Sequence, residues 1–317
     1  KETIKPDSDP IRLPSPSGTQ DAYFAGFGWS GNGLTAPAPD AVWTASGSKL
    51  TPTTPVKLTT SNGTQRFVIE LSVDDGYMFT IRQRVANLGE KPISVAGYGF
   101  LYRYGPGKDH DTWTIHAGPV ASYNGTVDYG VNYDTVKDEG AKSFDSTGGW
   151  VGYTDIYWLT ALVPDQGMNV ALKFRPAGGL ASQAQFEPTA ARQVGPGQMV
   201  TQTSRFFAGA KDINLLDDYE EKGGIRAFGR SIDWGWFEIF EKPIFHYLNW
   251  LFRMLENFGL AIIALTLTVR LLLFPIAQRQ FASMAQMRAV QPKMKAIQER
   301  YKDDKPRQQQ EIMKLYK

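Results

Sequence analysis

Between Asp21 and Ala208 the apolar residues fall into short alternating runs. In Arg66–Val73, Phe67, Ile69, Leu71 and Val73 share one face, and after Asp74-Asp75-Gly76 the run Tyr77, Phe79, Ile81, Gln83, Val85 alternates against Met78, Thr80, Arg82 and Arg84. Two period-2 runs flanking an Asp-Gly turn predict a β-hairpin. Asn32-Gly33, Asn62-Gly63 and Asn124-Gly125 mark further turns, and Ile93–Tyr104, Tyr157–Val163, Val170–Arg175 and Met199–Phe207 read as strands. No stretch between 21 and 208 keeps a 3.6-residue period over three turns. Many short strands without intervening helices predict a mainly β protein, an antiparallel sandwich. After Ala208, Ile213, Leu215, Leu216 and Tyr219 predict one short helix on the sandwich edge, closing at Gly223-Gly224. The expected β-sandwich domain with its terminal helix therefore spans 21–224. Residues 1–20, with Pro6, Pro10, Pro14 and Pro16 among polar residues, read as an extended linker.

Beyond residue 232 the pattern becomes helical. Residues 233–255 carry Trp234, Trp236, Phe237, Phe240, Phe245, Tyr247, Trp250 and Phe252 with Glu238, Glu241, Lys242 and Arg253 interleaved. Beside a membrane span this reads as an interfacial amphipathic helix, with Trp234, Trp236, Phe237 and Trp250 as anchors. An ordinary helix packed on the sandwich is the competing reading. From Phe258 to Ala277, twelve of twenty residues are Leu, Ile, Val or Phe and the sole charge is Arg270. Twenty helical residues cover about 30 Å, the thickness of the hydrocarbon layer. Their aliphatic groups contribute roughly −4 to −7 kcal/mol against about +2.5 to +3.5 kcal/mol for a central arginine. Insertion therefore remains favourable, and 258–277 is expected to be a transmembrane helix. After it, Met284, Met287, Val290, Met294 and Ile297 line one face of a helix over 279–301. Asp303-Asp304-Lys305-Pro306 turns the chain into a second helix. Residues 279–317 are thus expected as a helical hairpin, truncated at its end.

Length and charge refine this picture. The chain has 317 residues, consistent with two domains or one large β unit with an appendage, and net charge +2, which argues against a nucleic-acid-coating surface. That total hides an asymmetry: 279–317 holds ten Lys/Arg against four Asp/Glu, so the body is net acidic. The positive-inside rule then puts 279–317 in the cytoplasm and 1–257 across the membrane, in a bacterium the periplasm. Lys1 follows no hydrophobic leader and Lys317 lies within a helical pattern, which reads as a segment of a longer protein.

Reactive chemistry is sparse. The chain contains no cysteine, which rules out disulfides, thiolate nucleophiles and Cys-ligated metals. His110 and His116, if on one strand, stand about 20 Å apart, too far to share a metal. Gly105-Pro-Gly-Lys108 fails the phosphate-loop pattern, because Tyr102 and Asp109 stand at its key positions, and 28–33 precedes no helix. The many Tyr and Trp suit a core better than a sugar-stacking platform. No cofactor is expected, and no catalytic residue.

Arg270 is the exception among the charges. It lies about 10 Å inside the cytoplasmic end of the span. Snorkelling is one reading, but the side chain is shorter than that depth. Thr266, one turn earlier on the same face, with Thr268 nearby, favours a polar stripe facing a hydrated cavity made with other helices.

Asp233-Trp-Gly-Trp-Phe237, Lys242-Pro-Ile-Phe245, Leu265–Pro275, Ser283–Arg288, Gln291-Pro-Lys293, Tyr301–Asp304 and Glu311–Lys317 resemble the YidC-type bacterial membrane-protein insertases in order and spacing. The resemblance is dense over 233–317 and looser upstream. It implies a periplasmic super-β-sandwich, an interfacial helix, one transmembrane helix and a cytoplasmic coiled-coil hairpin in the inner membrane. It also implies that Arg270 and Thr266 line a hydrophilic substrate groove open to cytoplasm and lipid. The implied activity is insertion and folding of inner-membrane proteins, alone or with the Sec translocon, with no bond made or broken. The implied partners are nascent inner-membrane proteins, the Sec translocon and its accessory subunits, ribosomes, the signal recognition particle and its receptor, and membrane lipids. The alternative is a membrane-anchored periplasmic carbohydrate-binding or scaffold domain.

Overall fold

In the computed structural model, residues 12–106, 116–300 and 305–315 are described. The chain forms two units, one ending at Gly235 and the other starting at Trp236. Strands of the first unit are β1 (Tyr23–Ser30), β2 (Thr44–Ala45), β3 (Val56–Ser61), β4 (Gln65–Val73), β5 (Met78–Asn87), β6 (Ile93–Tyr104), β7 (Gly118–Tyr123) and β8 (Thr126–Asp128). A short helix α1 (Tyr133–Glu139) follows, then β9 (Lys142–Thr147), β10 (Trp150–Thr154), β11 (Trp158–Val163), β12 (Asn169–Pro176), β13 (Ala181–Pro188), β14 (Arg192–Val194) and β15 (Met199–Ala210), and finally α2 (Ile213–Glu221). One sheet runs β1-β6-β13-β12-β9 with β14 on β6, and the other β2-β3-β4-β5-β15-β11-β10-β7-β8. The expected mainly β architecture is what the chain adopts.

The predicted hairpin is β4–β5, with Leu71 opposite Ile81 and Phe67 opposite Val85. Its turn is held by Asp74, whose Oδ1 accepts the backbone N–H groups of Gly76 and Met78, each at 2.9 Å. Tyr77 is a turn residue with φ 64° and not the first of the strand. At Asn124-Gly125 both residues have positive φ, 52° and 81°, the backbone of a tight turn joining β7 and β8. Residues 12–20 are more than a tether: Ser15 pairs with Tyr23, and Leu13 packs against the core.

The central strands of the longer sheet are buried on both faces. On β11, Leu162 points into the sandwich with Val151, Tyr153, Leu172, Phe174 and Phe186, while Leu159, Ala161 and Val163 point outward. The outward set is covered by Leu216 of α2, Ile225 and Phe228. Phe228 meets Trp150 and Phe207 edge-on at ring separations of 5.6 and 5.5 Å. The helix expected on the sandwich edge therefore lies on its face, because the face, not the edge, carries the apolar surface. No side chain fits at Gly152 on this sheet, where a Cβ would stand 1.9 Å from the Thr160 carbonyl oxygen. A third cluster, with Trp29, Phe67, Val85, Ile93, Val95 and Val194, fills another part of the sandwich. Helix α1 escaped the periodicity argument because seven residues make only two turns; Asn132 caps it by accepting the Thr135 N–H.

The second unit is helical: α3 (Glu238–Leu255), α4 (Phe258–Arg300) and α5 (Lys305–Leu315). Glu256, with φ 50°, ends α3, and the Asn257 side chain accepts the Leu260 N–H to start α4. The spans 258–277 and 279–301, read as separate helices, are one 43-residue helix to Arg300 that passes through Pro275 and Pro292. Each proline removes one hydrogen bond but cannot by itself terminate a helix that strong helix formers continue. From Leu260 onward the sequence has no glycine to form a left-handed stop. The turn expected at 303–306 begins at residues outside those described.

Phe228 is fully buried under the outer face of the long sheet. Phe228→Ala should cost about 3–5 kcal/mol of sandwich stability. Tyr157→Ala, at a position 68% exposed, should change it by no more than about 0.5 kcal/mol. Urea denaturation followed by tryptophan fluorescence compares the two.

Candidate functional site

Helix α4 carries the residues predicted to line a groove. Thr266 Oγ1 donates to the Ile262 carbonyl at 2.8 Å, and Arg270 follows one turn later, both exposed. Four residues apart on a helix, they share one face. Thr268 Oγ1 donates to the Ala264 carbonyl and lies 3.1 Å from the Tyr247 hydroxyl, tying α3 to α4. Leu251 and Ala261 are buried within the same unit, whereas Leu271, Leu272 and Phe274 are exposed. Phe258–Phe281 is long and apolar enough to cross a membrane.

The four predicted anchors fall on different elements. Trp234 precedes α3, belongs to the first unit and is half-buried. Phe237 caps the start of α3 and is 65% exposed, and Trp250, near its other end, is 55% exposed. Trp236 lies in the 3-10 turn Gly235–Phe237. Exposed Ile239, Phe240, Ile244 and Met254 extend the apolar surface of α3.

A second constellation, missed in the sequence, lies inside the sandwich. Arg103 on β6 is 6% exposed, and its Nη2 donates to Asp155 Oδ1 at 2.8 Å. The guanidinium carbon stands 4.7 Å from the Tyr23 ring centre, 5.8 Å from that of Tyr153 and 5.9 Å from that of Tyr133. Strand register puts Arg103 opposite Tyr23 on β1 and Ser182 on β13. The Tyr153 hydroxyl pairs with Ser182 Oγ at 2.9 Å and that of Tyr23 with Thr160. Arg103 Nη1 and the Tyr133 hydroxyl are buried with no hydrogen-bond partner. Burial raises the Tyr23 hydroxyl to about 12 against the opposing pull of Arg103, and drives Tyr133 well above its ordinary value. Lys211 Nζ donates to Thr154 Oγ1 at 3.0 Å. The available signal was phase: Ile93, Val95, Leu101 and Arg103 fall on the buried face of one period-2 strand.

His116 is half-buried outside any strand, its ring nitrogen 2.8 Å from the Pro119 carbonyl; burial lowers its pKa. His110, Gly107 and Lys108 lie outside the described residues. Among the described residues no three His, Asp or Glu side chains converge to hold a metal.

A large β-sandwich followed by amphipathic and membrane-crossing helices defines a class, the membrane-attached proteins with a folded domain outside the bilayer. Residues 1–247 match the family model described as the YidC periplasmic domain, and residues 250–317 match that of the 60Kd inner membrane protein. The chain belongs to the YidC family and is an inner-membrane protein whose N-terminal domain is periplasmic. It is 42% identical over 320 residues to the membrane protein insertase YidC of Zymomonas mobilis, covering all of this chain and 55% of that protein. The insertases of a Methylobacterium species (41%) and Brucella suis (39%) are likewise matched over the whole chain and 53% of their own length. The chain thus spans about half the length of the curated relatives it matches. Among solved structures, a GH36 α-galactosidase of Geobacillus stearothermophilus aligns at TM-score 0.40 and 8% identity, covering 61% of this chain and 31% of that one. A galactose mutarotase-like protein of Clostridium acetobutylicum aligns at 0.37 and 7%, covering 54% and 67%. Likeness at that level transfers no function.

Burial, opposed by Asp155 and Asp233, lowers Lys211 to about 8. The unfolded chain holds this proton to about 10.5. Between those values the folded state binds fewer protons than the unfolded one, so stability rises with pH. From about pH 8 to about pH 10 wild type should gain about 1–2 kcal/mol relative to Lys211→Met, a figure already reduced for partial solvent contact. Urea denaturation across the range measures it, and parallel pH slopes would show that Lys211 stays charged when folded.

Proposed function

We propose that the chain works as a membrane-protein insertase and chaperone, using Arg270 and Thr266 as part of a hydrophilic substrate groove. The observation that carries this reading is a span, Phe258 to Ala277, whose single charge is Arg270, one turn from Thr266 on the same face. A charge at that depth is costly unless it faces water or a counter-charge. A cation held there attracts acidic groups in the short translocated tail of an incoming membrane protein and lowers the cost of taking them into a region of low dielectric. Burial of the substrate's apolar helix in lipid then drives release. No covalent bond changes, so the activity is not enzymatic.

Family membership and the names of the relatives support this reading. The exposed aromatic and aliphatic side chains of α3 suit the outer interface of the bilayer, with Phe237 and Trp250 as anchors alongside Trp234 and Trp236. The basic residues from Arg279 onward suit the cytoplasmic face, where anionic lipid headgroups, the ribosome and the signal recognition particle with its receptor are the proposed contacts. The Sec translocon and its accessory subunits are the proposed membrane partners.

The test places a photoreactive residue at position 266 in the membrane-embedded protein and presents a ribosome-bound nascent chain of a small inner-membrane protein. An adduct is expected, weakened when the substrate's tail acids are neutralised. Arg270→Ala should lower its yield about ten-fold and Arg270→Lys much less, since ten-fold needs only about 1.4 kcal/mol, within what one charge pair at intermediate dielectric supplies. No adduct at 266, despite crosslinks elsewhere on the protein, or insertion indifferent to Arg270→Ala, would favour a membrane-anchored scaffold instead.

A further inference from the structure

Next to the buried arginine of the sandwich lies a cavity of about 410 Å³, whose lining includes Tyr133, Val136, Lys137, Leu180 and Ser182. We propose that this cavity is a binding site for a carboxylate, carried by a small organic acid or by an acidic side chain of a polypeptide, with Arg103, Tyr133 and Ser182 as its hydrogen-bond donors.

The unmet groups set the chemistry. Arg103 Nη1 has no partner and can only donate, and the hydroxyl of Tyr133, whose ring centre lies 5.9 Å from the guanidinium carbon, is equally unmatched. Buried polar groups are satisfied in nearly all folded proteins, so two orphans in one cluster call for an acceptor-rich ligand. Arg103 makes one contact to Asp155, through Nη2, and the Asp155 side chain is 21% exposed. The guanidinium is thus only partly neutralised, and a second anionic oxygen on Nη1 forms a charge-assisted bond. Ser182 lines the cavity and sits directly across the strand pair from Arg103, so a hydroxyl lies near the same point. Asp134 also lines the cavity and Asp155 already pairs with Arg103, which disfavours a dianion such as phosphate and leaves the singly charged carboxylate. Val136, Leu180 and Pro106 provide an apolar wall for the carbon body of the ligand, and Lys137 adds a cation to the lining. Arg103 is not itself in the cavity lining, whereas Tyr133, with its ring centre 5.9 Å from the guanidinium carbon, is. A ligand reaching Nη1 displaces the Tyr133 ring, which is anchored by stacking on Tyr153 at 6.1 Å and not by its hydroxyl.

The test uses the whole chain in detergent and two probes, sodium propionate and the peptide acetyl-Ala-Glu-Ala-amide, with propionamide, acetyl-Ala-Gln-Ala-amide and sodium phosphate as controls. At millimolar concentration at least one carboxylate should raise the melting temperature of the sandwich, and its amide and phosphate should not. A response to propionate points to a small acid, and a response to the peptide alone points to a polypeptide. Without a probe, Tyr133→Phe should melt about 2–4 °C higher than wild type, because it deletes an unsatisfied hydroxyl. It should also bind the probe at least ten-fold more weakly by calorimetry, whereas Tyr157→Ala should bind like wild type. No response to either carboxylate, an equal response to the amides, or undiminished binding by Tyr133→Phe would overturn the proposal.

Discussion

Burial of both faces of the nine-stranded sheet is the constraint on which the periplasmic unit depends. A sheet that packs a partner on one side only can alternate apolar with polar residues, and the outer strands do so. Its central strands cannot, because Leu159, Ala161 and Val163 on one face and Leu162 on the other are all fully buried. The second sheet covers one face. The other requires α2 and the segment carrying Ile225 and Phe228, held where the Trp150 indole donates to the Arg226 carbonyl at 3.2 Å. Tyr219 adds a tie by donating to the Asp74 carboxylate, so the hairpin turn is fixed to the helix that roofs the sheet. Residues 213–232 therefore belong to the domain's core and are not a tether.

Arg103 and Arg270 meet the same physical difficulty in different media. Arg103 lies in a protein interior, where three tyrosine rings and one carboxylate surround it and one nitrogen stays unmatched. Arg270 lies on an apolar helix whose neighbouring Leu271 and Leu272 are more than 70% exposed. In Arg103 the unmatched nitrogen leaves capacity for an outside acceptor, and the proposed groove role of Arg270 asks the same of its guanidinium. On α4 that acceptor belongs to the proposed substrate, and in the sandwich to the proposed carboxylate ligand.

The helical unit owes its form to what its sequence lacks as much as to what it contains. After Gly259 the sequence offers α4 no glycine, the residue that most readily takes a left-handed stop, and two prolines do not end it. The turn between α3 and α4 shows the contrast, where Glu256 adopts the left-handed conformation and Asn257 caps the next helix.

Period-2 alternation, the Asp-Gly and Asn-Gly turns and the apolar span were legible because each is a local property, decided by a few neighbouring residues. They suffice for the β class, the β4–β5 hairpin and the presence of a membrane-crossing helix, and the ordered motifs from Asp233 onward suffice for the family. Helix α1 was illegible because two turns carry no periodic signal and its single buried residue, Val136, is chosen by contacts with distant strands. The Arg103 cluster was illegible for the same reason: Tyr23, Tyr133, Tyr153 and Ser182 come from four elements far apart in the chain. By itself the sequence determined that the first unit is built of strands and which of the longer ones alternate, which helix can leave water for lipid, and where a charge interrupts an apolar run. Strand order, the placement of α2 on a sheet face and the meeting of one arginine with three tyrosines were decided only by the tertiary structure, because they depend on long-range pairing and on which surfaces remain to be buried once local structure has formed.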